Sequence, residues 1–296
     1  MTLTSFLSRR ITQGRVPARH LSTYASFYYL ENLPLYQTTK PYHINIPHWA
    51  LPPGQQCNEV SVPYTKIPVT GIRSRQDEFK LDVQGFQVAQ EEMRGPNSLF
   101  DCISFEEYYD KQKVKSHVVP AVQSFLKRKI EGAEAVLPIS SQIRRRDAQF
   151  PILPRGTDAM TPQPVQGVHV DFTPDSIRAE IQDTLAEGGY SDLSGRRWQV
   201  LSVWRPLFGP LRDWPLAMLD YRSLDKENDL VASDNIYTHA IRETYNVLYS
   251  ESHKWYYLED QQPDEVLIFK TFDSLATKGN ARGNSESSVR GIEMTS

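Results

Sequence analysis

A run of short strand-like segments lies between residues 197 and 272, and it constrains the fold more than any other feature of the chain. Turn residues separate the segments, and few helical periods interrupt them apart from a stretch around 235–243. The segments are RWQVLSVW (197–204), PLAMLDY (215–221), YNVLYS (245–250), KWYYL (254–258) and DEVLIFKTF (264–272). Such a run predicts a mainly β fold, a strand sandwich or barrel.

Helices are predicted before this run, where they would pack outside the strands. Residues 104–132 begin with Ser104 and Glu107 in the spacing of a capping box, and Pro120 predicts a break or kink in that helix. Thr173 can cap a second helix that runs over 174–187. The other predicted elements are an extended, proline-rich segment at 28–68 and strands at 84–89 and 133–140.

Composition excludes several classes of function. The 296 residues are 39% hydrophobic and 23% charged, which is typical of a globular protein, and the net charge of −3 gives no basic surface for nucleic acid. Cys57 and Cys102 lie far apart, so neither a disulfide framework nor a CxxC zinc motif is indicated. No apolar run approaches the roughly 20 residues of a membrane span. These features predict a cytoplasmic protein without an obligate protein partner.

Three regions are distinguished along the chain. Residues 1–27 form a basic extension that contains Arg9, Arg10, Arg15 and Arg19 but no acid, a composition shared by mitochondrial transit peptides and by plain disordered extensions. Residues 28–274 form the folded domain. Residues 275–296 turn small and polar, which predicts a disordered C-terminal tail.

The segment GVHVDFTPDS (167–176) contains the strongest candidate for a metal site. His169 and Asp171 lie two residues apart on a predicted strand, so both side chains face the same side of the sheet. One imidazole and one carboxylate make up two thirds of a facial iron site, whose third ligand must come from elsewhere. Spacing alone is weak evidence for a metal, since such a pair can instead form hydrogen bonds with its neighbours.

Other candidate motifs are weaker. The chain has no GxSxG, P-loop, GxGxxG or HExxH motif. Arg205 follows an apolar strand directly, where it could bind a cofactor carboxylate at a barrel mouth or pair structurally with Asp213 or Asp220. The basic cluster at 142–151 could bind a carboxylate but is more typical of a solvated loop.

Several motifs, taken in order, resemble the AsaB-type hydroxylase/desaturase family of fungi, which is related to the cephalosporin 7α-hydroxylase CmcJ. They are KPYHINIP, GIRSRQDEFKLDVQGFQV, GVHVDFTPDS, VLSVWRPLFGPLRDWPLAMLDYRSL and KWYYLEDQQPDEVLIFKTFDS. The resemblance covers about 28–274. It implies a double-stranded β-helix, or jelly roll, with Fe(II) and 2-oxoglutarate as cofactors, and it aligns His169 and Asp171 with the family's HxD motif.

The resemblance also exposes a missing residue. In the family, a histidine segment and then an arginine strand follow the FDS element, but no histidine follows Ser274 here. Arg290 is the candidate for binding the 2-oxoglutarate carboxylate. Three explanations are open: a wrong terminal exon in the gene model, replacement of the ligand by His239 or His253, or a site that no longer binds iron tightly.

These observations predict an enzyme that acts on a small natural-product intermediate. Fifteen tyrosines and five tryptophans suit an apolar pocket with a few polar anchors. The leading hypothesis is an iron-dependent hydroxylase or desaturase of secondary metabolism. The alternatives are a metal-independent cyclase, isomerase or pericyclase of Diels–Alder type on the same scaffold, which would act through proximity, and an inactive structural homologue.

Overall fold

Two sheets form the framework of the protein. The computed structural model describes residues 22–46, 50–52, 54–146, 162–190, 192–193, 195–275 and the backbone of 290–293. A nine-stranded sheet has the order β1-β3-β10-β7-β12-β5-β9-β8-β2, and a three-stranded sheet has the order β4-β11-β6. The strands are β1 Ser22–Leu30, β2 Tyr42–Ile44, β3 Ser61–Gly71, β4 Phe86–Gln90, β5 His169–Val170, β6 Gln199–Trp204, β7 Leu216–Leu219, β8 Leu230–Ile236, β9 Ile241–Val247, β10 Trp255–Tyr257, β11 Glu265–Asp273 and β12 Arg290–Glu293.

The helices form two groups. The first group begins with a short α1 (Lys111–Lys113), continues through a π-helical turn (Val114–Val118) and ends with α2 (Val119–Lys129). The predicted capping box is half present, since Glu107 Oε2 accepts from the Ser104 amide at 2.8 Å, ahead of a 3₁₀ turn at Glu106–Tyr109. The second group consists of α3 (Pro174–Glu180) and α4 (Gln182–Glu187).

The core lies between the sheets and under the helices. Met218 of β7 packs with Phe86 and Phe269, which belong to the smaller sheet, so the two sheets bury their facing sides against each other. Every residue of β11 is buried, because α2 covers the other face of its sheet through Phe125 and Leu126. The mainly β jelly-roll architecture with external helices is therefore confirmed.

Four predictions on local structure were wrong or incomplete. Residues 133–140 form no strand, since the Val136 carbonyl accepts from the Gln123 side chain at 2.6 Å and has no ladder partner. The stretch 235–243 is not helical but forms the hairpin of β8 and β9, because their ladder outweighs a short helical period. The predicted helix 174–187 is divided at Ile181.

The fourth difference concerns the termini. Residues 290–293 belong to the predicted disordered tail but form strand β12, which pairs with β5 and β7. Strand β1 begins at Ser22, within the predicted basic extension, whose residues 1–21 lie outside the described structure. Among the helices in the described part of the chain, none is long and apolar enough to span a bilayer.

Candidate metal centre

His169 and Asp171 face each other at the end of β5. His169 Nε2 lies 3.5 Å from Asp171 Oδ1, and the two side chains are 19% and 20% exposed. His169 Nδ1 lies 2.7 Å from the carbonyl oxygen of Gly167, so it must carry the proton that it donates there. In the neutral ring the lone pair is therefore on Nε2, which lies beside the Asp171 carboxylate, so both could bind one cation. The prediction that both side chains lie on one side is confirmed.

The local sequence positions this pair between a very short strand and a helix. β5 has only two residues, and the Val168 amide donates to the Tyr28 carbonyl at 2.9 Å, which anchors the strand's start. Thr173 Oγ1 accepts from the Ser176 amide at 3.2 Å and caps α3, as predicted. Asp171 thus lies in the tight link between strand end and helix cap, which limits its movement relative to His169.

No third ligand joins the pair within the described residues. The metal-ligating side chains there form a close group at one other place only, which excludes His169 and Asp171. Residues 276–289 lie outside the described structure and contain no histidine. Within the described part of the chain, the donor set therefore provides two of the three protein ligands that a facial iron site requires.

Neither alternative histidine replaces the missing ligand. His253 is buried, its Nδ1 lies 3.1 Å from the Tyr29 hydroxyl, and its Nε2 lies 3.1 Å from Asp229 Oδ2, so both ring nitrogens are occupied in the core. His239 lies in the turn between β8 and β9, with its ring 5.9 Å from that of Tyr237. Replacement by His253 is therefore wrong for this conformation, and nothing places His239 at Asp171.

The two predicted cofactor-binding arginines have different surroundings. Arg290 begins β12, and its Cα is directly opposite His169 in the antiparallel ladder with β5. Arg205 instead donates to the Tyr108 hydroxyl at 2.5 Å and to the Pro263 carbonyl at 3.1 Å. The position of Arg290 is consistent with its predicted role, which stays a prediction. The contacts of Arg205 indicate that it joins loops near the smaller sheet, and they do not support cofactor binding.

The prediction that Arg205 pairs with Asp213 or Asp220 was wrong. Asp213 pairs with Arg146 at 2.8 Å, and Asp220 pairs with Arg222 at 2.6 Å. Arg146 is half exposed and belongs to the basic cluster 142–151, of which residues 147–151 lie outside the described structure. The ion pair of Arg146 is therefore a surface contact, whereas Arg144 is half-buried and donates to the Gln163 carbonyl.

Sequence reasoning missed a polar group beside His169. Asn246 of β9 is the cross-strand partner of His169, and its Nδ2 donates to Glu59 Oε1 at 2.5 Å. The same oxygen accepts from the hydroxyl of Ser233, which is fully buried. Glu59 precedes β3 in a segment with no local pattern, so only the sheet pairing reveals that it lies near the candidate centre.

A jelly roll with an HxD pair at a strand end defines a non-haem iron oxygenase-type protein, and comparisons with known proteins specify the family. A family model described as "Oxidoreductase/YMDC permease-like domain" matches residues 27–293. The chain is 30% identical over 225 residues to the hydroxylase/desaturase efuI of Hormonema carpetanum, covering 70% of this chain and 71% of that protein. It belongs to this family of fungal Fe(II)/2-oxoglutarate-dependent hydroxylases and desaturases, and the resemblance found in its motifs is confirmed.

Two further comparisons support the assignment. The Fe(II)/2-oxoglutarate-dependent dioxygenase nvfI of Aspergillus novofumigatus is 30% identical over 231 residues, which is 75% of each chain. The solved structure of the iron- and α-ketoglutarate-dependent endoperoxidase NvfI superposes with a TM-score of 0.73 at 24% identity, covering 93% of this chain and 90% of that one. This structural likeness establishes the shared fold.

Proposed function

We propose that the protein is an Fe(II)- and 2-oxoglutarate-dependent oxidoreductase that hydroxylates or desaturates a small intermediate of fungal secondary metabolism. The observation that carries the proposal is the tautomer of His169. Because Nδ1–H is engaged by the Gly167 carbonyl, Nε2 is left as a ligand beside the Asp171 carboxylate. The relatives' names support the reaction class and leave the substrate to be identified.

His169 and Asp171 would hold the iron on one side. The carbonyl of Gly167 makes the imidazole a stronger donor and fixes its ring orientation, as partners of metal-binding histidines do. Arg290 would bind the carboxylate of 2-oxoglutarate through charge-assisted hydrogen bonds. When bound, iron and 2-oxoglutarate supply the oxidising power for attack on a substrate C–H bond.

The two faces of β5 differ in character. Val168 and Val170 flank His169 in the chain and are buried in a cluster with Val247, against which Tyr245 packs, so these side chains lie on the face opposite to His169. The face of His169 carries the polar side chain of Asn246, its cross-strand partner, which is available to orient a small molecule. The reaction classes in the relatives' names favour a small natural-product intermediate over a protein or nucleic-acid substrate.

The decisive experiment measures iron binding and succinate formation from 2-oxoglutarate in the full chain. His169→Ala and Asp171→Asn should each lower iron-dependent turnover by at least about a hundredfold, because each removes a ligand. Asp175→Asn is the matched control, since Asp175 lies four residues further on and its side chain is 96% exposed. It should leave turnover unchanged.

The absence of a third ligand among the described residues favours a second candidate, a metal-independent cyclase or pericyclase. Product formation that survives EDTA and both substitutions at the pair would support that enzyme and contradict the oxygenase. Neither activity with any pathway intermediate, together with no thermal stabilisation by those intermediates, would indicate an inactive homologue. A transcript with a histidine codon after Ser274 would strengthen the oxygenase.

The domain limits and the cellular compartment are also proposals. The jelly-roll domain begins close to residue 28, after the basic extension, and the family match to residues 27–293 together with β12 favours a C-terminal limit near 293 rather than the predicted 274. We expect a cytoplasmic location. The alternative is a mitochondrial location, for which the arginine-rich extension would be the targeting segment. Imaging of the full chain beside a variant that lacks residues 1–21 distinguishes the two, because only a targeting segment changes the location when removed.

A further inference from the structure

A second group of metal-ligating side chains lies near β2 and includes neither His169 nor Asp171. An isolated antiparallel bridge pairs His43 of β2 with Cys57, and the Ile44 amide donates to the Gln56 carbonyl at 2.8 Å. Directly opposed residues in such a bridge present their side chains on the same face, and position 59 follows 57 by two residues on that face. The backbone therefore brings His43, Cys57 and Glu59 together.

The ligand atoms of these three residues are as close as shared binding of one ion requires. One ligand atom from each residue lies within 4.8 Å of the other two, and all three residues are half-buried. Cys57 Sγ is 3.9 Å from Glu59 Oε2. In a tetrahedral zinc site with bonds of about 2.0–2.3 Å, neighbouring donors lie only slightly closer than this, so small side-chain movements would complete the geometry.

The Glu59 carboxylate is held by groups that orient it for a cation. Its Oε1 accepts hydrogen bonds from the Ser233 hydroxyl and from Asn246 Nδ2, and Oε2 faces Cys57 Sγ. Hydrogen bonds of this kind fix metal-ligating carboxylates in known sites. No lysine or arginine in the described part of the chain forms an ion pair with Glu59.

The surroundings of Cys57 disfavour its thiolate when no cation is bound. Burial raises the pKa of the thiol, and the nearby Glu59 carboxylate raises it further, while the Glu59 amide acts in the opposite direction. A divalent ion between the two groups would offset both unfavourable effects, since it binds the thiolate and neutralises the carboxylate.

We propose that His43, Cys57 and Glu59 bind one divalent transition-metal ion of the zinc class, distinct from the candidate iron centre. The combination of one thiolate, one imidazole and one carboxylate suits Zn²⁺, whereas magnesium and calcium prefer oxygen ligands alone. Three protein ligands leave a fourth tetrahedral position for water or another ligand. Because Glu59 accepts a hydrogen bond from Asn246 of β9, the ion would also stabilise β9, which pairs with the strand that carries His169.

Cobalt(II) titration of the full chain tests this inference, because a cysteine thiolate bound to cobalt gives a near-ultraviolet charge-transfer band. The band should reach one equivalent in the wild type and in the His169→Ala/Asp171→Asn double variant. It should vanish in Cys57→Ser. His43→Gln and Glu59→Gln should each weaken cobalt binding at least about tenfold. Loss of a residue that only hydrogen-bonds to a metal ligand already weakens metal binding by about that factor.

Cys102→Ser is the matched control, because Cys102 is the other cysteine and is buried elsewhere, near Tyr108 and Arg205. It should keep the band. Absence of the band in the wild type, or a band that persists in Cys57→Ser, overturns the inference and leaves these residues as a hydrogen-bonded polar group. The wild-type titration tests the inference without any substitution. Circular dichroism checks that each variant is folded.

Discussion

Lys270 Nζ lies 2.9 Å from Asp273 Oδ2, and both side chains are almost completely buried at the end of β11. Arg197 also donates to this carboxylate, with its Nε 3.1 Å from Oδ1. We expect Asp273→Asn to lower the free energy of unfolding by about 3–5 kcal/mol, because it leaves a buried ammonium and a guanidinium with less negative charge to offset them. Urea unfolding monitored by fluorescence measures the loss.

An exposed ion pair provides the matched control for that substitution. Arg196 and Glu134 lie 2.6 Å apart, with side chains that are 56% and 77% exposed. Glu134→Gln should change the free energy of unfolding by less than about 1 kcal/mol, because water screens such pairs. Equal losses in the two variants would contradict the role assigned to burial.

The same carboxylate predicts an acid dependence of stability. Burial acts to raise the pKa of Asp273, but hydrogen bonds from Arg197 and Lys270 outweigh it and hold that pKa well below its usual range. A carboxyl with a lowered folded pKa stabilises the fold above its unfolded pKa of about 3.9, and this contribution is lost as the pH falls below that value. Because the folded pKa lies far below that of the unfolded chain, most of this loss occurs below about pH 4, so thermal unfolding midpoints measured from pH 5 to pH 2 should fall less steeply for Asp273→Asn than for the wild type.

His253 predicts a second pH dependence, in a higher range. Burial lowers the pKa of this imidazole despite the neighbouring Asp229, so the ring is neutral in the fold near pH 7. Its contribution to stability is complete above the unfolded pKa of about 6.5 and declines as the pH falls below it. His253→Gln should remove this decline and cost about 1–3 kcal/mol at neutral pH, because it leaves buried partners unsatisfied.

Thermal unfolding between pH 7.5 and pH 5 checks the prediction for His253. His117→Gln is the control, since His117 is exposed on the π-helical turn and should keep the wild-type decline. Retention of the full decline in His253→Gln would show that other groups cause it. The buried partners also explain why this histidine is unsuited to binding iron, since both ring nitrogens are already engaged.

The strands between 197 and 272 were predictable from the sequence because their signal is local. Turn residues bound each apolar run, and the buried strand β11 contains the uninterrupted apolar run VLIF (266–269), which is typical of a sheet covered on both faces. Residues 133–140 carry a similar apolar pattern, yet they form no ladder because α2 supplies their partner through Gln123. A local apolar pattern does not distinguish a strand that pairs within a sheet from a segment that contacts a helix.

The candidate site was predictable only in part. His169 and Asp171 are two residues apart, so their shared side follows from strand geometry. His43 and Glu59 meet only through a bridge between distant segments, which no spacing rule reveals. The partners of Arg205 were mistaken for a similar reason, because Tyr108 is 97 residues away in the chain.

Arg290 and Arg205 offer a paired test of how 2-oxoglutarate is bound. Arg290 lies opposite His169 in the ladder between β12 and β5, whereas Arg205 contacts Tyr108 and the carbonyl of Pro263. We expect Arg290→Gln to weaken 2-oxoglutarate binding about tenfold or more, because a charge-assisted hydrogen bond to a carboxylate contributes about 1.5–3 kcal/mol. Arg205→Gln should leave this binding unchanged and lower the thermal unfolding midpoint instead. Isothermal titration of the iron-loaded variants with 2-oxoglutarate measures the first effect, and weakened binding in Arg205→Gln alone would assign the carboxylate contact to Arg205.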